Sequence, residues 1–552
     1  MFEISSWSPG EMRFGSRRSP VLSRGGMVAA GQPAAVEAGL AMLRAGGAAA
    51  DAAVAAAAVL AVVEPCSTGL GGDVFALYLD AASGEAAALN GSGRSPAALD
   101  LAAARARGCT GRELPLRSAL TVTAPGACAA WCDLSERFGR LPLDRVLEPA
   151  RDLAARGFVV HPVAAAAWAR GEEVLRAAPG GGELLPGGRA PRPGQVVRNP
   201  GLALVLERLG AAGPRGARDL FYRGEVAEAV VRAVREAGGL LAMSDLAGHA
   251  SQWAAPIGTD YRGVRVLQCP PNGQGLAVLL ALDILARLDP AVLGRPLSPE
   301  RVHAQAEALR LAFADARAWV ADPNAAPAPL DVLLSREYGE RRAALVRPDR
   351  ALPAALAGLP LHGPGTVQFV AVDGAGNACS MVNSNYLGFG TGIVPQGLGF
   401  SLQNRGHNFS LEPGHPNCLA PGRRPYHTII PGLALRPDGS LYAAFGVMGA
   451  FMQPQGQVQV LSALLDDGLD PQAALDLPRF CLEEAGGGTL ALEAHLPAGL
   501  GRALERRGHR VRRAGAEETA LFGRGQVIAR SPEGVLCGGS DPRADGCALG
   551  LG

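Results

Sequence analysis

From Met27 onward the apolar positions repeat with a readable period. Pro33 stands where a first helical turn tolerates a missing N–H, and Val36, Leu40 and Leu43 follow at helical spacing until Gly46-Gly47. That pattern predicts one helix, then a second from about Ala50 to Val63 that ends before Pro65. Cys66-Ser-Thr-Gly-Leu-Gly-Gly-Asp73 is a glycine-rich turn feeding a strand over Val74–Leu79. No Lys or Thr follows in P-loop spacing and no helix starts there, so close backbone packing is expected rather than a phosphate cradle. Glu225 to Ala237 has an amphipathic helical period, and Val264–Gln268 reads as a strand before Pro270-Pro271.

Residues 349–365 break the rhythm with a weakly patterned Ala-, Pro- and Gly-rich stretch, the expected place for a chain break or junction. Beyond it the texture turns to β-formers. Thr366–Val372 and Ala378–Asn383 flank the turn Asp373-Gly-Ala-Gly-Asn377, which predicts a hairpin. Short strands and turns follow, with a helix near Gln457–Leu465. The expected class is α+β, with sheets covered by helices on both sides.

Composition narrows the function classes. The 552 residues are 48% hydrophobic and 19% charged, too apolar for a disordered chain. A formal net charge of +1 gives no electrostatic case for nucleic acid or an anionic membrane, although every basic chain is arginine. The ten cysteines form no C-x-x-C pair, and Cys128 and Cys132 lie one helical turn apart as core residues would. Residues 1–25 lack a continuous apolar run, so they read as a disordered tail without a secretory signal; a cytoplasmic setting with reduced thiols is expected. The Ala-rich run Ala48–Val63 is too short to span a bilayer and carries Asp51.

An ordered set of motifs brings a family into view. Gly46-Gly47, Asp51-Ala52, Val63-Glu64-Pro65, Ser67, Gly69, Gly71-Gly72 and Thr123-Ala-Pro-Gly126 open the set. Gly365-Thr366, Val372-Asp373 with Gly376-Asn377, Phe389-Gly390-Thr-Gly392, Asn404, Phe409-Ser410, Pro421-Gly422, Arg424-Pro425 and Ser540-Asp-Pro-Arg543 complete it. Taken in order, they resemble the γ-glutamyltranspeptidase family of N-terminal-nucleophile hydrolases. The resemblance implies a four-layer αββα sandwich made as an inactive precursor and cut between Gly365 and Thr366. A large subunit over 26–365 and a small subunit over 366–552 would result. It implies Thr366 as nucleophile. Cutting would free its α-amine, whose reference pKa of about 7.7–8.0 lies near the range a general base needs. Gly363-Pro364-Gly365 can adopt the geometry an N-to-O acyl shift demands. The family's oxyanion hole falls on Gly449 and Ala450, where alanine replaces the second glycine but keeps an N–H. Ser384 takes the place of a supporting hydroxyl. The family's substrate-contacting asparagine falls on Tyr386, with Asn385 one position early.

The glutamyl-holding groups diverge. The family's carboxylate-binding arginine falls on Ser92, two residues from Arg94. Its ammonium-binding aspartate falls on Asn408, and its serine pair on His427-Thr428. Neutral Asn408 offers no counter-charge for a buried ammonium. Arg94, Arg405 and Arg424 could meet a carboxylate, or could instead pair with carboxylates of the protein. The expected activity is therefore amide hydrolysis or acyl transfer on a small carboxylate-bearing amide, oxamate-like or glutaryl-like. The alternatives are a true γ-glutamyl transferase with a rewired head-group pocket, and a non-catalytic relative acting as a binding protein. His407, His415 and His427 match no usual zinc spacing, so neither metal nor cofactor is expected. The expected partners are the small amide and the chain's own two fragments, with no nucleic acid and no membrane; a homodimer is left open.

Overall fold

The structure, a computed structural model, describes residues 18–289, 293–352, 365–483 and 488–552. Two seven-stranded antiparallel sheets form its centre. In the first, the order is Cys547–Gly550, Gly26–Ala30, Gly365–Asp373, Ala378–Tyr386, Asp73–Leu79, Ala86–Gly91 and Gln252–Ala254. The second runs Val21–Ser23, Leu536–Ser540, Arg524–Arg530, Leu441–Met448, Gly432–Leu435, Val264–Gln268 and Ile257–Tyr261.

Side chains alternate across a strand, so each strand serves two cores. Val370, Val372 and Val382 of the first sheet meet Leu433, Ala444 and Ile528 of the second between the sheets. Val367, Phe369 and Met381 face outward onto the helices Pro33–Arg44 and Ala49–Val63. Val266, Phe445 and Val447 face the opposite way, onto Gly275–Arg287, Pro299–Trp319 and Met452–Leu465. The result is helices, sheet, sheet, helices: the four-layer αββα arrangement. Among the described residues no helix is long and apolar enough to cross a membrane.

The alanine-rich helix Ala49–Val63 is buried along its whole length. Its small side chains let it lie close to the central hairpin, and Asp373 at the hairpin turn accepts the Ala49 N–H at 3.1 Å. The glycine-rich turn is a packing device, as expected. A Cβ at Gly71 would stand 2.1 Å from the Ser401 carbonyl oxygen, and one at Gly72 would stand 2.4 Å from that of Ser384.

Two expectations shift, and a third lies largely outside the described residues. Val21–Ser23 lies within the supposed tail but pairs with Leu536–Ser540, supplying an edge strand; residues 1–17 lie outside the described residues. The helix expected near Gln457 starts at Met452, because Gln453, Gln455 and Gln457 are buried and conceal its apolar period. Of the 349–365 stretch, residues 353–364, including Gly363 and Pro364, lie outside the described residues.

Candidate active site

Even-numbered residues of the hairpin point between the sheets, which places Thr366 and Ser384 in register at one end of the inter-sheet space. Both are fully buried, with hydroxyl oxygens 2.9 Å apart. Ser384 Oγ also lies 2.9 Å from the Gly365 carbonyl oxygen, to which it donates its one proton. The Thr366 hydroxyl is then the donor to Ser384, and among the described residues nothing donates to its oxygen. Gly365 is required by crowding: a Cβ there would sit 2.3 Å from the Leu387 carbonyl carbon.

The Ser384 oxygen, already the acceptor of the Thr366 proton, shares its remaining lone pair between the Tyr386 N–H at 2.9 Å and Arg405 Nη2 at 3.1 Å. Arg405 is fully buried and donates through Nη1 to Thr428 Oγ1 at 2.7 Å. Its guanidinium lies 4.6 Å from the centre of the Tyr386 ring. Among the described residues Arg405 forms no ion pair, and its Nε has no partner. Burial lowers its pKa to about 10, with the charge of Asp73 working the other way.

Asp73 is the charged group behind this arginine. Its Oδ1 accepts Gly93 N–H and Gly126 N–H at 3.1 Å each and Gln403 Nε2 at 3.0 Å. His427 Nε2 lies 3.0 Å from Asp73 Oδ2, and both side chains are fully buried. His427 Nδ1 accepts the Ile429 N–H, so Nε2 carries the proton given to Asp73. Burial raises the Asp73 pKa to about 6 and pushes that of His427 well down, leaving a neutral imidazole.

Gly449 and Ala450 follow the strand Leu441–Met448 of the facing sheet. Among the described residues their N–H groups donate to no protein acceptor, whereas both carbonyls are engaged, by Met452 N–H and by Gln274 Nε2 and Gln453 N–H. Ala450 has φ of 52°, a left-handed conformation that favours glycine. The alanine therefore keeps the backbone a glycine would adopt, at a cost of about 1–3 kcal/mol. Gln274 also holds the Thr428 carbonyl at 2.7 Å, tying the Gly449-Ala450 turn to Arg405 and so to Ser384 and Thr366.

Other expected site residues go elsewhere. A bulge opposite Gly365 and Thr366 gives the partner strand one extra residue, Asn385. Its side chain points to the helix side, toward Gly69, Gly72 and Ser401 Oγ, while Tyr386 turns to Arg405. Arg94 pairs with Asp322 at 2.8 Å. Arg424 spends its donors on Ser92 O, Gln252 Oε1 and Ala250 O. Asn408 is half-buried and donates to the Tyr426 carbonyl at 3.1 Å. His407 lies against Leu114 O and Glu113, and His415 accepts the Asn417 N–H, both apart from His427. Asp73, Gln274 and Gln403 were missed; Asp73 closing the glycine-rich turn was the one available signal.

The sequence profile of the γ-glutamyltranspeptidase family matches residues 35–551. A glutathione hydrolase-like proenzyme of Bacillus subtilis is 35% identical over 528 residues, covering 94% of this chain and 97% of the relative. An oxamate amidohydrolase proenzyme of Klebsiella pneumoniae is 35% identical over 543 residues, covering 96% and 99%. The crystal structure of a cephalosporin acylase from Bacillus halodurans superposes with a TM-score of 0.90 at 40% identity, covering 100% of this chain and 99% of that one.

Proposed function

Since the chain belongs to the γ-glutamyltranspeptidase family and is an N-terminal-nucleophile hydrolase, we propose that it cuts itself before Thr366 and then hydrolyses small amides whose acyl part bears a carboxylate but no ammonium. In the first stage Thr366 Oγ1 attacks the Gly365 carbonyl carbon, and Ser384 O–H stabilises the developing oxyanion. The Oγ1 proton passes to the departing nitrogen as the peptide C–N bond breaks, leaving an ester and the free α-amine of Thr366, and water hydrolyses the ester. In the second stage that amine takes the Oγ1 proton as the oxygen attacks the substrate amide. The N–H groups of Gly449 and Ala450 receive the oxyanion. The amine returns the proton to the departing nitrogen, and water or an acceptor amine releases the acyl group from Thr366.

Arg405 is the observation that carries the substrate class. Among the described residues this buried guanidinium, one hydroxyl removed from Thr366, has no ion-pair partner, and a carboxylate would complete it. The oxamate amidohydrolase relative is consistent with such an acyl group. At the position of the family's ammonium-binding aspartate, the Asn408 amide is neutral and already engaged, so it offers an ammonium no counter-charge. The ten cysteines, all free, support a cytoplasmic setting.

Mass spectrometry of purified protein should find two pieces, residues 1–365 and 366–552, and the Thr366→Ala chain should stay whole. A glutaryl anilide should then be turned over at about tenfold or higher kcat/KM than the γ-glutamyl anilide, which differs only by the α-ammonium. An uncut chain that still hydrolyses amides, or a preference for the γ-glutamyl compound, overturns the reading.

A further inference from the structure

Well away from the inter-sheet site, three potential metal ligands converge. His303 and Glu307 stand four residues apart on the helix Pro299–Trp319 and so share one face. His509 arrives from the turn before the strand Val511–Arg513. The three residues are 2%, 0% and 8% exposed. One ligand atom from each, an imidazole nitrogen or a carboxylate oxygen, lies within 4.8 Å of the other two. We propose that His303, Glu307 and His509 form a binding site for a zinc-type divalent transition-metal ion, joining the segments before and after Thr366.

The hydrogen bonds prepare the ligands. His303 Nε2 lies 2.7 Å from the Arg347 carbonyl, which can only accept, so Nε2 carries the proton and Nδ1 presents its lone pair to the cluster. A metal-ligating imidazole whose other nitrogen donates to a backbone carbonyl is the usual arrangement around zinc. Glu307 is oriented in the same manner, with one oxygen held by Arg310 at 2.7 Å and the other by the Leu352 N–H at 2.6 Å. Each carboxylate oxygen has a second lone pair available for a metal. Without an ion, His303 Nδ1 accepts from His509 Nε2 at 2.7 Å. Zn–N bonds of about 2.0–2.1 Å in tetrahedral geometry place two ligand nitrogens about 3.3 Å apart. Binding therefore needs the pair to open by roughly half an ångström and His509 to move its proton to Nδ1. Burial and the neighbouring His303 pull the His509 pKa down to about 3, so its ring is neutral. A cavity of about 180 Å³ lined by His303, Glu300, Val346, Pro348 and Arg507 adjoins the cluster and offers an entry.

The site's position suggests its use. Ala351 N–H donates to the Arg507 carbonyl at 2.6 Å, so the cluster holds the last described residues before the processing stretch against the region carrying His509. Once the chain is cut, an ion there would be a coordinate link between the two pieces. The site does not depend on the substrate proposed above.

Full-length protein, stripped with a chelator and returned to chelator-free buffer, is titrated with Zn²⁺ by calorimetry and with Co²⁺ by visible absorption. One ion per chain is expected, with affinity falling at least tenfold in both His509→Gln and His303→Gln. X-ray absorption of the wild-type zinc complex needs no variant; it should show imidazole nitrogens at about 2.0–2.1 Å and no sulfur shell at about 2.3 Å. No binding by the wild type, binding unchanged in both variants, or a thiolate shell overturns the site and leaves the histidines as a hydrogen-bonded pair.

Discussion

Arg405 and Arg543 are both buried and both follow Thr366 in the chain, yet their surroundings are opposite. Arg543 meets Glu493 through Nε at 2.8 Å and Nη2 at 2.5 Å, and Asp541 through Nη1 at 3.1 Å. Arg479 closes the network on the other Asp541 oxygen at 2.7 Å. Burial alone would lower the Arg543 pKa, but Asp541 and Glu493 more than reverse it and hold the proton tightly. Arg405 has two hydroxyls and an aromatic ring in place of two carboxylates, and burial wins. A charge completed by the protein braces the fold; one left incomplete beside Thr366 can serve a ligand.

The largest effect should come from breaking the completed centre. Arg543→Met leaves Asp541 and Glu493 with a buried charge to share with Arg479 alone, and should cost about 3–5 kcal/mol of stability. Urea unfolding of wild type and variant measures it, and a loss below about 1 kcal/mol would mean the network is not what braces this region. Arg405→Met should cost less stability than Arg543→Met, because no carboxylate is hydrogen-bonded to Arg405 among the described residues. Its effect belongs in catalysis. For a glutaryl anilide kcat/KM should fall about 100-fold, mostly through KM, as losing a charged hydrogen bond worth about 1.5–3 kcal/mol implies. A neutral butyryl anilide should be hardly affected. Equal losses on both compounds would move Arg405 from substrate binding to support of Ser384.

The contrast between these arginines was invisible in the sequence, and the reason is distance along the chain. Asp322 lies 228 residues from Arg94, and Asp73 lies 354 from His427, so no local pattern could tell a paired arginine from an open one. Ser540-Asp-Pro-Arg543 was legible as a family motif, but its use as an ion network needed Glu493 and Arg479 beside it. Local periodicity fared better. The hairpin, the first two helices and the close-packed glycine turn all follow from period, turn chemistry and crowding. Where one extra residue breaks the period, at the bulge, Asn385 turns to the helix side and Tyr386 to Arg405. The His303–His509 cluster escaped notice in the same way as Asp73, its members being 206 residues apart.

Asp73 allows the open centre to be tuned by pH. Its carboxyl faces the Gly93 and Gly126 N–H groups, Gln403 and His427, with Arg405 and Arg424 felt through space. With a folded pKa near 6, Asp73 is charged at pH 7.5 and competes with a substrate carboxylate for the field of Arg405. KM for the glutaryl anilide should therefore fall about 3- to 10-fold between pH 7.5 and 5, provided the substrate stays ionised. Asp73→Asn, neutral at every pH, should hold the low KM across that range. The stability sign agrees. A carboxyl raised from about 3.9 in the unfolded chain favours folding fully below that value, and the contribution is lost as pH rises through about 6. A KM that rises on acidification would remove Asp73 from this role.

Arg94 gives the smallest effect and the sharpest boundary. Its side chain is 36% exposed, and its Asp322 partner also accepts the backbone N–H of Arg424 at 2.9 Å and that of Asn324 at 3.1 Å. Deleting Arg94 therefore leaves no carboxylate stranded, and Arg94→Ala should cost under about 1 kcal/mol of stability. Its KM for the glutaryl anilide should stay within about twofold of wild type, because a guanidinium already held by Asp322 and the Gly422 carbonyl has little to offer a ligand. If KM instead rose tenfold in Arg94→Ala and stayed flat in Arg405→Met, the substrate carboxylate would lie at the rim of the site, and the distinction between completed and incomplete arginines would have been drawn around the wrong residue.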